Sequence, residues 1–381
     1  MDALYRHIKG DKVIWTIVLF LSLFSVLAVY SAINSLAYKY QQGNQIYYLV
    51  KHSLIIIVGL FLMYVIHRIK YSYFSRLSQI ALFISIPLLL LTLARGASLN
   101  EAARWLSIPG TGLTFQTSDF AKIALMSYLA RILSKNQEKN YDLKETSLKI
   151  FLPVVLVCGL ILPANFSTCA LLFTTSFIMM FVGRVKSKFL LTFLGMGILG
   201  VLLIMLIGFT APKVFPRFAT WVKRIENFKD KDSKENFQAD QAKIAIATGG
   251  ITGKGPGKST QRNMLPHPYS DFIFAFIIEE YGFLGGFFVV FLYLIFLFRG
   301  VRIATRSKKN FGSLLAFGLC FSLVFQAFIN MAVATNLFPV TGQPLPLVSM
   351  GGTSIWFTSI AMGIILSVST ETESDIANEK L

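Results

Sequence analysis

Residues 271–297 read "DFIFAFIIEEYGFLGGFFVVFLYLIFL". As a helix rising about 1.5 Å per residue, this run is long enough to cross the roughly 30 Å hydrocarbon core of a bilayer. Its only charges are three carboxylates, Asp271, Glu279 and Glu280, all in its first ten positions. Each carboxylate inside a bilayer costs about 3 kcal/mol on insertion scales, so intramembrane acids mark functional places. The run therefore sets two expectations: a membrane helix, and chemistry at its N-terminal end.

The rest of the chain agrees with the first expectation. Of 381 residues, 54% are hydrophobic and 14% are charged; the mean hydropathy is +0.62. A soluble chain carries about 25% charged residues. Ten spans are read, at 13–32, 48–67, 77–95, 117–134, 149–164, 167–183, 188–210, 271–297, 312–336 and 352–369. The fold class is all-α, a polytopic membrane protein in one transmembrane domain over 1–381. No cleavage site follows "MDALYRHIKGDK", so the first apolar segment is read as a span and not as a leader. Cys158, Cys169 and Cys320 lie singly in spans and suggest neither a disulfide framework nor a metal motif.

The net charge of +17 invites a nucleic-acid reading, but its distribution opposes one. With the N-terminus inside, the inner segments hold 20 Lys and Arg, and the short outer segments hold only Lys39, Arg95 and Arg104. That asymmetry places both termini in the cytoplasm and makes most of the charge a matter of topology. Residues 211–270 then form a long outer loop with eleven Lys and Arg. Within it, "WVKRIENF" and "QADQAKIAIATGG" read as amphipathic helical pieces suited to a membrane surface.

Four outer places collect polar groups. Residues 100–122 read as a loop with Pro and Gly turns; Arg104 and Trp105 suit an interface. Lys122 lies about five residues inside the fourth span and faces the bundle, snorkels outward, or pairs with an acid. The long loop offers Arg217, Lys223, Arg224 and Lys243, a cluster able to hold a phosphate or pyrophosphate, or simply a solvated or lipid-facing basic surface. Its "GGITGKGPGKSTQ" only superficially resembles a P-loop: Thr252 stands where Gly257-Lys258-Ser259 would need glycine. Nucleotide binding is rejected. At the eighth span Asp271 stands at the outer mouth, as a reacting group or as a helix N-cap. Glu279 lies about 80° and Glu280 about 180° around the helix from it. Only one glutamate is then expected to share a cavity with Asp271, the other facing a neighbouring helix with a basic partner such as Lys122. Residues 336–354, "NLFPVTGQPLPLVSMGGTS", read as a stiff outer lid or groove wall, since irregular backbone at membrane depth must be buried or line a cavity.

Three long segments together resemble the SEDS family, the FtsW and RodA group of bacterial peptidoglycan glycosyltransferases, almost end to end. They are "ARWLSIPGTGLTFQTSDFAKIAL", "QAKIAIATGGITGKGPGKSTQRNMLPHPYSDFIFAFIIEEYGFLGG" and "NMAVATNLFPVTGQPLPLVSMGGTS". The resemblance implies a polymerase that joins lipid II into glycan strands at the outer face of the cytoplasmic membrane. It implies Mg²⁺ or Mn²⁺ and no organic cofactor, and as partners a class B penicillin-binding protein transpeptidase and divisome proteins. The family's essential Asp, in its H-T-D-F-I-F-A element, falls on Asp271. The chain departs from the family pattern in three places. Tyr269-Ser270 replaces the H-T, Gln116-Thr117-Ser118-Asp119 replaces Q-P-S-E, and Asn165 in "PANFST" stands where Asp is expected.

"HIKGDKVIW" and "PANFST" point to the division-type, FtsW-like branch over the RodA-like elongation branch. In chemical terms Asp271 is the candidate base. Arg104, Arg217, Arg224 and Lys243 are candidates for the pyrophosphate, with Gln116, Lys122 and Glu279 also placed at the substrate. The competing readings are a lipid II flippase and a scaffold. Polar groups thin out toward the cytoplasmic half, and this favours the enzyme.

Overall fold

The computed structural model describes residues 9–33, 44–95, 97–99, 102–108, 113–139, 142–210, 218–229, 237–261, 264 and 269–379. Arg217 lies outside the described residues, as does the side chain of Arg104. The helices are α1 Lys12–Ala32, α2 Gln45–His67, α3 Ser72–Arg95, α4 Thr117–Lys139, α5 Leu143–Thr146, α6 Leu152–Ile161 and α7 Phe166–Val182. They continue as α8 Ser187–Thr210, α9 Phe218–Lys229, α10 Phe237–Gly249, α11 Ile273–Arg306, α12 Asn310–Ala334 and α13 Thr353–Glu379. A π-helical turn, Ser147–Phe151, joins α5 to α6.

The protein is an all-α polytopic membrane protein. Seven described helices (α1, α2, α3, α8, α11, α12 and α13) are long and apolar enough to cross a bilayer. α7 is apolar but shorter. α4 carries Asp119, Lys122 and Arg131 along its apolar stretch, and α6 has only ten residues, so neither stands among the seven. The two pieces read as helical within 211–270 are α9 and α10.

The chain divides into two compact units. The first comprises residues 1–66, 224–299 and 323–363; the second comprises 67–223, 300–322 and 364–381. In the first, Asp11 caps α1, accepting from the amides of Val13 at 2.9 Å and Ile14 at 3.3 Å. The same buried carboxylate accepts from Arg299 Nε at 2.6 Å. The Trp356 indole donates to the Ile55 carbonyl at 3.0 Å. Around these polar ties, Leu21, Met63, Phe276 and Tyr293 are fully buried.

The second unit holds a three-stranded antiparallel meander: β1 Ala97–Leu99, β2 Ala102–Ile108 and β3 Leu113–Gln116, with Trp105 opposite Gln116. This corrects the expectation of an irregular loop over 100–122. "AARWLSI" and "LTFQ" are short β-prone runs on either side of a Pro-Gly pair, which is the pattern of a hairpin. Thr92 and Thr117 hydroxyls meet at 2.9 Å, tying α3 to the start of α4. Phe151, Phe173 and Phe193 pack as an aromatic cluster. Asn165 caps α7 by accepting from the Thr168 amide at 3.2 Å. Asn caps about as well as Asp, so the departure at "PANFST" keeps the cap.

Candidate active site

Asp271 sits in a turn, residues 269–272, two positions before the first residue of α11. The three carbonyls leading through it are each held from the segment 330–350. Tyr269 O accepts from the Met350 amide at 2.9 Å. Ser270 O accepts from Ser349 Oγ at 2.7 Å, and Asp271 O from Asn330 Nδ2 at 3.0 Å. Asn330 Nδ2 also donates to Gln343 O at 2.7 Å, so one buried amide joins both strands of the arrangement. The Asp271 carboxylate is half-buried, and its Oδ1 accepts from Ser270 Oγ at 3.0 Å. Backbone fixed at three consecutive residues leaves the side chain little freedom to leave its place.

Of the segment read as an outer lid or groove wall, the second half is internal. Gln343, Leu345, Leu347, Val348 and Ser349 are all at most 3% exposed. Pro344 O accepts from Gln326 at 2.9 Å, and Pro346 O accepts from the Tyr293 hydroxyl. Prolines leave carbonyls without matching amides, and α11 and α12 side chains fill those acceptors. The stretch is an internal bracket behind the Asp271 turn.

Arg224, on α9, donates from Nη1 to the Val340 carbonyl at 3.0 Å. Burial pushes the guanidinium pKa down, and the charge of Asp271 opposes that shift, so the two groups lie within electrostatic reach. Lys243 is exposed and paired with Asp240 at 3.1 Å. In the second unit Lys122 is paired with Asp119 at 2.8 Å, one turn away on α4. The Gln116 amide donates to Ser118 Oγ at 3.0 Å.

The deeper glutamates behave differently from their expected roles. Glu279 is fully buried, and its cation is Lys254 at 2.7 Å, not Lys122. Lys122 finds its acid within its own helix, where an i,i+3 spacing puts the two side chains on one face. Glu279 further accepts from the Thr260 hydroxyl at 2.8 Å, the Thr260 amide at 3.0 Å and the Ser259 hydroxyl. Glu280 accepts from Ser31 and from the Gly257 amide at 3.0 Å. Both glutamates meet the same loop, and Glu280 also faces the neighbouring helix α1 through Ser31.

Just beyond the two glutamates α11 breaks. Gly282 has φ 70° and ψ −173°, and the chain there pairs with the loop as a short ladder. Lys254 and Gly255 amides donate to the Glu279 and Glu280 carbonyls, and the Phe283 and Leu284 amides to those of Gly250 and Ile251. A Cβ on Gly253 would lie 2.2 Å from Glu280 O, and one on Gly282 would lie 2.1 Å from Ile251 O, so glycine is required at both. The P-loop-like "GGITGKGPGKSTQ" thus spends its amides on the chain's own groups, Lys254 and Gly255 on backbone carbonyls and Gly257, Thr260 and Gln261 on the two carboxylates. The clasp is structural, and Glu279 is part of it.

Sequence reasoning missed Asn330, Ser349 and Lys254. The density of Pro and Gly in 336–354 signalled that the segment is special. Nothing local told which carbonyls it would hold, nor that Lys254 and Glu279, 25 positions apart, would pair.

A sequence profile described as "Cell cycle protein", FtsW/RodA/SpoVE, matches residues 11–374. A probable peptidoglycan glycosyltransferase FtsW of Geobacter sp. (strain M18) is 31% identical over 378 residues, covering 96% of this chain and 98% of that protein. Stage V sporulation protein E of Bacillus subtilis (strain 168) is 30% identical, over 96% of this chain and 98% of its own length. Among solved structures, the rod shape determining protein RodA of Thermus thermophilus shares the fold with a TM-score of 0.66 at 22% identity, over 94% of this chain and 96% of that one. A chain from a study of polymerization and crosslinking by a peptidoglycan synthase complex superposes with a TM-score of 0.73 at 23% identity, over 95% and 98% of the two chains. This chain belongs to the FtsW/RodA/SpoVE family.

Proposed function

We propose that the protein is a peptidoglycan glycosyltransferase of the division type that polymerises lipid II. In this reading it crosses the cytoplasmic membrane ten times, with both termini inside and 211–270 outside. Asp271 is the general base. It takes the proton from the acceptor sugar hydroxyl as that oxygen attacks the anomeric carbon of the donor. The bond from that carbon to the lipid pyrophosphate breaks, and the pyrophosphate leaves with the bonding electrons. Arg224 stabilises the charge that develops on it.

The observation that carries the reading is the Asp271 turn, fixed at three consecutive carbonyls with Arg224 in electrostatic reach. A general base needs such fixed placement; a surface carboxylate does not. Among the described residues, no three His, Cys, Asp or Glu side chains converge. The described residues therefore offer no such cage for Mg²⁺ or Mn²⁺. Such an ion would arrive on the pyrophosphate oxygens, as Mg²⁺ commonly does. Relatives named as peptidoglycan glycosyltransferases support the reaction class. A class B penicillin-binding protein and other divisome proteins are the proposed partners. Polymerisation of lipid II by the purified protein tests the proposal, because a flippase or a scaffold makes no glycan.

A further inference from the structure

In the first half of α2, His52 is fully buried, and its Nε2 lies 2.8 Å from Ser25 Oγ on α1. Ser25 Oγ in turn lies 2.8 Å from the Val348 carbonyl, which can only accept. The single hydroxyl proton of Ser25 is therefore spent on Val348 O. The contact with the imidazole must be made by Nε2–H donating to Ser25 Oγ, which fixes the tautomer. Nδ1 then carries a lone pair that finds no partner among the described residues. A buried acceptor left unmet is costly, so this histidine is not there merely to satisfy itself.

The far end of the chain of hydrogen bonds is the bracket behind Asp271. Val348 O belongs to the peptide whose nitrogen is that of Ser349. Ser349 Oγ donates to Ser270 O at 2.7 Å, and the next amide, Met350, donates to Tyr269 O. The residue before Val348, Leu347, has φ 62°, in the left-handed region that a bulky L-residue avoids. Such a conformation persists only where its surroundings over-determine it. Here the tie from Ser25 follows it directly, and the Tyr293 hydroxyl holds Pro346 O just before it.

We infer that Ser25 and His52 are positioning residues for the reaction, holding the Val348–Ser349 peptide so that Ser349 keeps the Asp271 turn in place. The inference rests on Asp271 being the base. His52 orients the Ser25 hydroxyl, and Ser25 fixes the peptide that follows the strained Leu347. Neither touches the substrate. Loss of either loosens the turn and misplaces the carboxylate, which lowers turnover while leaving substrate binding largely intact.

The test is lipid II polymerisation at varied lipid II by Ser25→Ala, His52→Asn, the double variant and His52→Gln. Amide hydrogen exchange at Met350 is measured in each, and Asp271→Asn is run alongside. Asn cannot place a donor where Nε2 stood, whereas the Gln amide nitrogen can. Ser25→Ala and His52→Asn are each expected to lower kcat about 10-fold with KM within about twofold, and to speed Met350 exchange by a similar factor. The double variant should be no worse than the worse single one, and His52→Gln should recover most of the rate. Unchanged kcat in Ser25→Ala, or losses that multiply in the double variant, would overturn the inference. If Ser25→Ala does not fold, His52→Asn is read by the same two measurements. The two readings fail differently: full activity in Asp271→Asn removes the base, whereas a dead Asp271→Asn beside a normal Ser25→Ala removes only the brace.

Discussion

Replacing Glu279 by Ala removes the acceptor at the centre of the clasp. The carboxylate is fully buried and takes the Lys254 ammonium, two hydroxyls and the Thr260 amide. Breaking a buried ion pair from one side costs about 3–5 kcal/mol. Lys254 keeps 25% of its side chain exposed and can turn to water, so the lower end, about 3 kcal/mol, is appropriate. At about 1.4 kcal/mol per decade, that loosens the loop roughly 100-fold. The assay is hydrogen exchange at the four ladder amides, Lys254, Gly255, Phe283 and Leu284. All four should exchange about 100-fold faster, while amides in the middle of α2 stay protected. Glu279→Gln with Lys254→Met should show a coupling of about 0.5–3 kcal/mol in a double-mutant cycle, as contacting residues do. Glu279→Ala and Lys122→Ala have different partners and should add. Unchanged exchange at the ladder, or coupling of Glu279 to Lys122 in place of Lys254, would refute the clasp.

Gly253→Ala should abolish folded yield, because its Cβ would stand 2.2 Å from a backbone oxygen. At Gly250, φ is 56° with open space around the Cβ position, so Gly250→Ala should cost only about 1–2 kcal/mol of backbone strain; equal effects in thermal unfolding would contradict this. Arg224→Ala should lower the kcat of lipid II polymerisation about 100-fold, as loss of a transition-state donor does. Lys243→Ala should stay within about twofold, since its ammonium is exposed and already paired with Asp240; the reverse order would exchange their roles. Impermeant thiol reagents should label a cysteine placed at Lys258 in cells with only the outer membrane permeabilised and spare one placed at Lys308, and the opposite pattern would invert the topology.

Much of this was legible in the sequence because membrane spans are written in local composition. "DFIFAFIIEEYGFLGGFFVVFLYLIFL" announces α11 by itself, and the pieces "WVKRIENF" and "QADQAKIAIATGG" give α9 and α10. Asp271 was identifiable as an acid at the mouth of a span. The partners were not, because they are set by tertiary pairing that no local pattern encodes. Helical angles placed Glu279 and Glu280 on different faces, but no local pattern told that one loop, paired with both sides of the break at Gly282, would reach both carboxylates. The same limit hid Lys254 behind Lys122 as the cation for Glu279. The bracket over 343–350 was visible as a dense Pro and Gly stretch, but its burial depends on Gln326, Asn330 and Tyr293, which lie elsewhere in the chain.

The most direct measurement is lipid II polymerisation by Asp271→Asn. Asn caps helices about as well as Asp and keeps its size, so a capping role would leave the rate unchanged. An amide cannot take a proton at neutral pH, and general-base catalysis is worth about 10²–10⁴-fold. The variant should insert and fold normally while glycan synthesis falls at least about 100-fold. Asp271→Glu should restore little of it, since the longer side chain moves the carboxylate by roughly 1 Å. Glycan synthesis by Asp271→Asn at close to the parent rate would contradict the assignment of Asp271 as the base.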